Sequence, residues 1–437
     1  MTPDRGAPSG ATRGVAPQVA APPGLDETGP FMVGLLGHGT VGSAFHALLR
    51  ERADAIEAEV GRRPEVSGVL TRSSGDFDDI LARSDLIVEL IGGVEPAHEY
   101  LMLAMAAGRH VVTANKQVLS QFGEEVLDAA RRHRVQLRFE AAVGGVVPAI
   151  RVMGETLAAA HIERVHGIVN GTTNFILTEM TRTGATYDDA LRAAQERGYA
   201  EADPSEDISG RDAAAKMAIL ARLAFNAPVA LEEVRYEGIE QLTPDDIAYA
   251  KELGLSLKLV GTAERIDRGI AVHVHPAFLY AGHPLATVDG AFNAVTIESP
   301  AITEITLSGP GAGGPQTASA VLGDVISAMI PPPTLPPPGV PQPLVTDVEF
   351  SFYLHLEVAD RPGVLAQIAE ILGRQGVSIR SVVQKGLGDE ARLVMVMHPV
   401  LESKFRAAVD LIGRLDFVRS RPRVIRVIEE EFLVAGS

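Results

Sequence analysis

A chain of 437 residues is too long for one ordinary core, so roughly two to four domains are expected, and 46% hydrophobic content suits a packed soluble protein. A net charge of −17 argues against nucleic acid as the main partner, and the absence of cysteine excludes disulfides, thiolate catalysis and Cys-ligated zinc. The histidines show no HExxH-type spacing, no apolar run reaches the roughly 18 residues of a membrane span, and the N-terminus lacks a signal pattern, which by elimination leaves a cytoplasmic enzyme.

Residues 1–29 are rich in Pro, Gly and Ala without apolar periodicity and read as a disordered tail. A short buried strand, 31–36, then runs into Gly37-His38-Gly39-Thr40-Val41-Gly42 and a long helix. This is G-x-G-x-x-G in its required strand–turn–helix setting. Gly37 permits the tight turn, Gly39 lets the backbone approach a pyrophosphate, and Gly42 lets helix and strand pack closely. With Thr40 and Val41 they form a candidate dinucleotide site at a helix N-terminus.

The second strand, 65–70, ends in Thr71-Arg72-Ser73-Ser74. NAD sites usually place an acid at this strand end. Arg72 there suits a 2′-phosphate and so NADP, although an exposed loop arginine reads the same way.

Strand 86–91, helix 96–107, strand 110–113, helix 117–132 and strand 136–140 continue the alternation. Such alternation predicts a doubly wound parallel sheet, with ligands at the carboxyl ends of its strands. Gly92-Gly93 and Ala114-Asn115-Lys116 lie at those ends. Lys116 is therefore a candidate contact for cofactor or substrate, and a lysine that opposes a helix dipole fits a purely structural role poorly. Glu140 and the glycine turn after it offer carbonyls to a hard monovalent cation, or form a plain turn.

The pattern then changes to α+β. Strand 162–169 leads into the polar turn Asn170-Gly171-Thr172-Thr173-Asn174. The stretch EADPSEDISGRDAAAK, from Glu201 to Lys216, follows as an acidic loop and the start of an amphipathic helix. Asp212 and Lys216 share a helix face at i,i+4, beside the carboxylates of Glu201 to Asp207. A lysine oriented by a carboxylate and tuned by burial can trade a proton with a substrate oxygen. The same pair is also an ordinary surface ion pair, and spacing alone does not separate the two readings.

Strands 256–266 and 270–279 form a hairpin, and strands 288–299 and 302–307 follow. A second glycine loop, Gly309 to Gly314, opens helix 316–329, which is expected to return to the nucleotide domain and cap the cofactor. The Pro-rich stretch around 330–347 is the clearest boundary in the chain. Beyond it a βαββαβ order predicts a separate ferredoxin-like unit over 348–432. The expected domains are thus 30–148 with 309–329, 149–308, and 348–432.

Here the chain resembles homoserine dehydrogenases with a C-terminal ACT regulatory domain. GLLGHGTVG, TANK, EAAVGGVVP, GIVNGTTNFIL, GYAEADPSEDISGRDAAAK and GPGAGG carry the resemblance over 31–329, in the family's order, and DRPGVL carries it in the last unit. The resemblance implies NAD(P)-linked interconversion of L-homoserine and L-aspartate 4-semialdehyde, on the route to threonine, methionine and isoleucine. It implies Lys216 as proton donor, with the role of Lys116 beside it left open. Glu201 and Asp212 would bind substrate and orient Lys216, with Thr172, Tyr199 and Asp207 nearby. Lys116, Gly198 and Gly313 would touch the cofactor, NADP(H) being preferred over NAD(H) on account of Arg72. Some members hold Na+ or K+ at positions matching Glu140, Val143, Gly145 and Val147, the last three by backbone carbonyl. The ACT match implies feedback by threonine at contacts between subunits of a dimer or tetramer, near Gly363. Deletion of 331–437 is then expected to leave activity but abolish the threonine response, unless that unit holds the oligomer together. Two alternatives stand beside this reading: another amino-acid dehydrogenase, and a non-catalytic amino-acid sensor built on the nucleotide fold.

Overall fold

The computed structural model describes residues 29–330, 341–385 and 391–428. The expected disordered tail falls, up to residue 28, outside the described residues, as does 331–340 of the Pro-rich stretch.

The first domain runs β1 (Phe31–Leu36), α1 (Thr40–Val60), β2 (Pro64–Leu70), α2 (Phe77–Ala82), β3 (Leu86–Glu89), α3 (Ala97–Ala106), β4 (His110–Thr113), α4 (Lys116–His133), β5 (Leu137–Arg138). Its five strands pair in parallel in the order β2-β1-β3-β4-β5. Parallel strands covered on both faces read as unbroken apolar runs, because alternate residues enter different cores. In β3, Leu86 and Val88 pack with Phe45 and Leu49 of α1, while Ile87 packs with Leu101 of α3 and Val126 of α4.

The second domain holds α5 (Ala149–Arg151), β6 (Arg164–Ile168), α6 (Gly171–Thr183), α7 (Tyr187–Glu196), α8 (Ser205–Ile208), α9 (Arg211–Phe225), β7 (Arg235–Tyr236) and α10 (Pro244–Glu252). It continues through β8 (Leu255–Ile266), β9 (Gly269–Tyr280), β10 (Phe292–Ser299), β11 (Thr303–Pro310) and α11 (Gly314–Ala328). Helix α9 is the buried spine: Ala213, Ala214, Ala218 and Ala221 let it lie close to its neighbours. Helix α11 leaves this domain and packs Val321 and Val325 against Val33, Leu35 and Phe45 of the first.

The last unit holds β12 (Glu349–Val358), α12 (Val364–Arg374), β13 (Ile379–Lys385), β14 (Ala391–Met397), β15 (Val400–Leu401), α13 (Glu402–Ile412) and β16 (Arg423–Ile428). Its four long strands run antiparallel in the order β16-β12-β14-β13, the expected ferredoxin-like arrangement. One difference is large. The unit is not a separate body on a tether. Strand β16 pairs in parallel with β9, Arg426 opposite Ala277 and Ile428 opposite Leu279. Among the described residues this fuses both units into one eleven-stranded sheet.

The seam is also charged and buried. Arg426, 7% exposed, reaches both carboxylate oxygens of Glu237, at 2.9 and 3.1 Å, and Glu402 at 2.6 Å. Asp246, which caps α10, faces Arg423 at 3.4 Å and His355 at 3.5 Å. No helix among the described residues is long and apolar enough to cross a membrane.

Candidate active site

The glycine turn between β1 and α1 is shaped by close contacts. Gly37 has φ +96°, and a Cβ on Gly42 would sit 2.2 Å from the carbonyl oxygen of Gly37. Gly39 caps α1 without a side-chain hydrogen bond and has open space above it. The N–H groups of Thr40 and Val41 at this helix start are thus suited to an anion, and the turn fits a dinucleotide pyrophosphate. Arg72, one strand away, is exposed.

A cleft of about 340 Å³ opens past the carboxyl ends of β3 and β4. Gly92, Gly93, Asn115 and Lys116 line it from the nucleotide domain, and Lys216 and Gly311 from across it. Gly145 lines it too, in van der Waals approach to the Gly311 backbone.

The two lysines meet on one carboxylate. Asp212, 3% exposed, sits in the first turn of α9, where the helix dipole favours a negative charge. Lys116 Nζ donates to its Oδ1, and Lys216 Nζ donates to its Oδ2 at 2.8 Å. Lys216 also donates to the carbonyl of Val169 at 2.8 Å. That uses two of the three ammonium protons and leaves one for a substrate oxygen. Asn170 caps α6 with its side-chain oxygen, and its Nδ2 donates to Asp212 Oδ2 at 2.8 Å and Asp207 Oδ1 at 2.7 Å.

Charge follows from this geometry. Burial alone would raise the Asp212 pKa, but Lys216 and Lys116 outweigh it and hold the carboxyl well below the usual range. Burial opposes the Lys116 ammonium, but Asp212, Glu206 and Asp207 outweigh that and raise its pKa. Asp207 is pushed up, first by burial and then by the Asp212 charge. The site keeps a cation beside the cleft at neutral pH.

Residues 37–140 match the family described as homoserine dehydrogenase, NAD binding domain, residues 148–326 match homoserine dehydrogenase, and residues 353–417 match the ACT domain. The homoserine dehydrogenase of Neisseria gonorrhoeae is 37% identical over 429 residues, covering 91% of this chain and 98% of its own length. The chain belongs to the homoserine dehydrogenase family. A crystal structure of a homoserine dehydrogenase from Thiobacillus denitrificans aligns with a TM-score of 0.88 at 40% identity, over 92% of this chain and 98% of that one. A hyperthermophilic archaeal homoserine dehydrogenase in complex with NADPH aligns with a TM-score of 0.60 at 29% identity, over 70% of this chain and 100% of that one.

For a homoserine dehydrogenase site read from sequence, the structure gathers Lys116, Asp212, Lys216 and Asp207 into one network. Thr172 and Tyr199 form a second group: the Thr172 hydroxyl donates to the Tyr199 carbonyl at 2.6 Å, and the Tyr199 ring lies 4.8 Å from that of Phe175. Gly198 turns the chain just before it, with φ +72°. Glu201 is exposed, and the orientation of Lys216 rests on Asp212 and Val169 instead. Gly313 caps α11, and a Cβ on the next residue, Gly314, would lie 3.1 Å from Thr40 Cγ2, so the α1 and α11 N-termini adjoin.

The expected strand end at Glu140 is corrected. Glu140 is not the end of a strand but a buried turn, its N–H donating to Asp324 at 2.7 Å. Its carboxylate accepts the N–H groups of Ile150 at 2.9 Å and Arg151 at 2.8 Å, and burial with the nearby Asp324 pushes its pKa up to about 7. The Val147 carbonyl already accepts the Ala149 N–H at 2.8 Å. These bonds leave lone pairs on the Glu140 carboxylate and on the Val147 carbonyl, beside the main-chain oxygens of Val143 and Gly145. Asn170 was missed as a bridge between two carboxylates; its place as an N-cap before α6 was the available signal.

Proposed function

We propose that the chain interconverts L-aspartate 4-semialdehyde and L-homoserine with NADP(H), in the route to threonine, methionine and isoleucine, in the cytoplasm. The observation that carries the chemistry is the Lys116–Asp212–Lys216 triad at the wall of the cleft past the ends of β3 and β4.

The α1 N-terminus at Gly39, Thr40 and Val41 would hold the pyrophosphate, with Gly92, Gly198 and Gly313 at the edges of the same site. Arg72 would pair with the 2′-phosphate, as the archaeal relative's NADPH complex makes reasonable for this fold. The bound cofactor supplies the hydride. Lys216 Nζ gives its proton to the carbonyl oxygen as negative charge builds there, and takes it back in the reverse direction. Asp212 fixes the Lys216 ammonium. Lys116, tied to the same carboxylate, adds a second positive charge that favours the developing alkoxide. Asp207 and the segment of Thr172 and Tyr199 would meet the amino-acid end of the substrate. Threonine is the proposed effector, acting through the ACT unit of a homo-oligomer.

The first test follows NADPH absorbance with aspartate semialdehyde, with and without threonine, and again with NADH. Consumption slowed by threonine is the expected result. Consumption with neither cofactor would overturn the assignment. Arg72→Ala is expected to raise the KM for NADPH by about tenfold, as for loss of a charged hydrogen bond, while leaving that for NADH nearly unchanged. Equal effects on both cofactors would remove the case for NADP.

A further inference from the structure

Glu89 ends β3 with no solvent exposure, in a strand whose other residues, Leu86, Ile87 and Val88, are wholly apolar and buried. Among the described residues it pairs with no cation. A buried carboxylate without a cation costs free energy unless hydrogen bonds hold its charge. Here three donors face it. Oε1 accepts the N–H groups of Ile91 at 2.8 Å and Gly92 at 3.2 Å, and Oε2 accepts the Thr113 hydroxyl at 2.6 Å.

These bonds continue toward the cleft. Thr113 Oγ1 accepts the Asn115 N–H at 3.0 Å. Asn115 Nδ2 donates back to the Gly93 carbonyl at 2.7 Å, and its Oδ1 caps α4 by accepting the Val118 N–H at 3.2 Å. The ring so closed joins the Gly92–Gly93 turn to the residue just before Lys116. Gly92 and Gly93 have φ +77° and +75°, a conformation that needs outside support to be the only one populated. The Leu90 carbonyl between them and β3 fills the space beside Gly37, 2.5 Å from where a Cβ would be.

We propose that Glu89 is a positioning residue for this enzyme: its carboxylate fixes the Gly92–Gly93 wall of the cofactor cleft and, through Thr113 and Asn115, sets Lys116 against Asp212. Its full burial rules out direct contact with a ligand, so it acts through the groups it holds. The inference rests on the reading of this cleft as the NADP(H) site.

The test uses the full chain and two separate readouts, NADPH affinity from nicotinamide fluorescence and kcat from absorbance. Glu89→Ala is expected to weaken NADPH binding by about tenfold, since it strips the support of two turn N–H groups. Glu89→Gln keeps an oxygen for both N–H groups, and the Thr113 hydroxyl can accept from its amide, so binding should recover to within about threefold of wild type. Thr113→Val leaves the turn bonds intact but cuts the link to Asn115, and is expected to lower kcat by about tenfold with little change in affinity. Ser67→Ala, which removes a buried 2.7 Å hydrogen bond to Ser84 elsewhere in the domain, should move the Tm but neither readout. Wild-type affinity in Glu89→Ala, or wild-type kcat in Thr113→Val, would overturn the proposal. Should Glu89→Ala fail to fold, Thr113→Val still decides the link to Lys116. A wild-type chain that binds neither NADPH nor NADH would instead overturn the cleft reading beneath it.

Discussion

Lys216→Ala is expected to lower kcat by about 10²- to 10⁴-fold, the usual weight of a positioned general acid, while NADPH affinity stays close to wild type. The geometry separates this loss from unfolding. Asp212 is held by two lysines, so removing Lys216 leaves the buried carboxylate paired with Lys116. Asp212→Ala is the opposite case, because it leaves two ammonium groups beside each other with their shared anion gone. Breaking such a pair from the buried side costs on the order of 3–5 kcal/mol. Thermal unfolding should therefore show Lys216→Ala near wild type and Asp212→Ala far below it. Steady-state kinetics on the first and calorimetry on both check this. Undiminished turnover in Lys216→Ala would remove Lys216 from the chemistry.

The same pairing sets a sign for pH. The folded Asp212 carboxyl has a depressed pKa, so its contribution to stability is complete above the unfolded value, about 3.9. It fades as pH falls toward the lower folded value.

The nucleotide half was legible because its physics is local. Strands buried on both faces show as apolar runs, and a turn that must pass close to a helix shows as glycine. The Asp212–Lys216 pair was legible too, since i,i+4 is a property of one helix. The bond from Lys116 to Asp212 joins residues 96 positions apart, and no spacing rule reaches that far. Glu201 stands in the same acidic stretch and is exposed, so it lies outside that hydrogen-bonded network while staying open to a substrate. Strand β5, read as 136–140, shortens to Leu137–Arg138 because Glu140 gives its N–H to Asp324 instead of a neighbouring strand. Glu89 looked like one more strand residue, since sequence shows a carboxylate but not the three donors around it.

Deleting residues 331–437 is expected to yield an insoluble or inactive protein, not the unregulated enzyme that the Pro-rich boundary invites. The truncation strips β16 from β9 along Arg426 to Ile428 and removes the Leu344 bridge to Ile270. It also opens the main core of the substrate domain. Tyr353, Val394, Val396, Ile425 and Val427 belong to the same buried cluster as Tyr249, Phe278 and Ile297. The Tyr353 ring stands edge-on to Phe278 with centroids 5.0 Å apart. Each such side chain contributes roughly 1.5–3 kcal/mol when buried, so their loss together is on the order of 10 kcal/mol. A whole domain has only about 5–15 kcal/mol in hand. The charges make the exposed seam worse: Asp246 loses Arg423 and His355, and Glu237 loses Arg426 and Arg406. Soluble expression, Tm and kcat of the truncated chain decide the matter. A soluble truncation with wild-type kcat and an unchanged Tm would show that the shared sheet and core carry little of the stability. An unstable one means that the regulatory unit is a structural part of the catalytic fold. An effector bound to that unit would then act on a sheet that runs without interruption to β6, the strand leading through Val169 to Lys216.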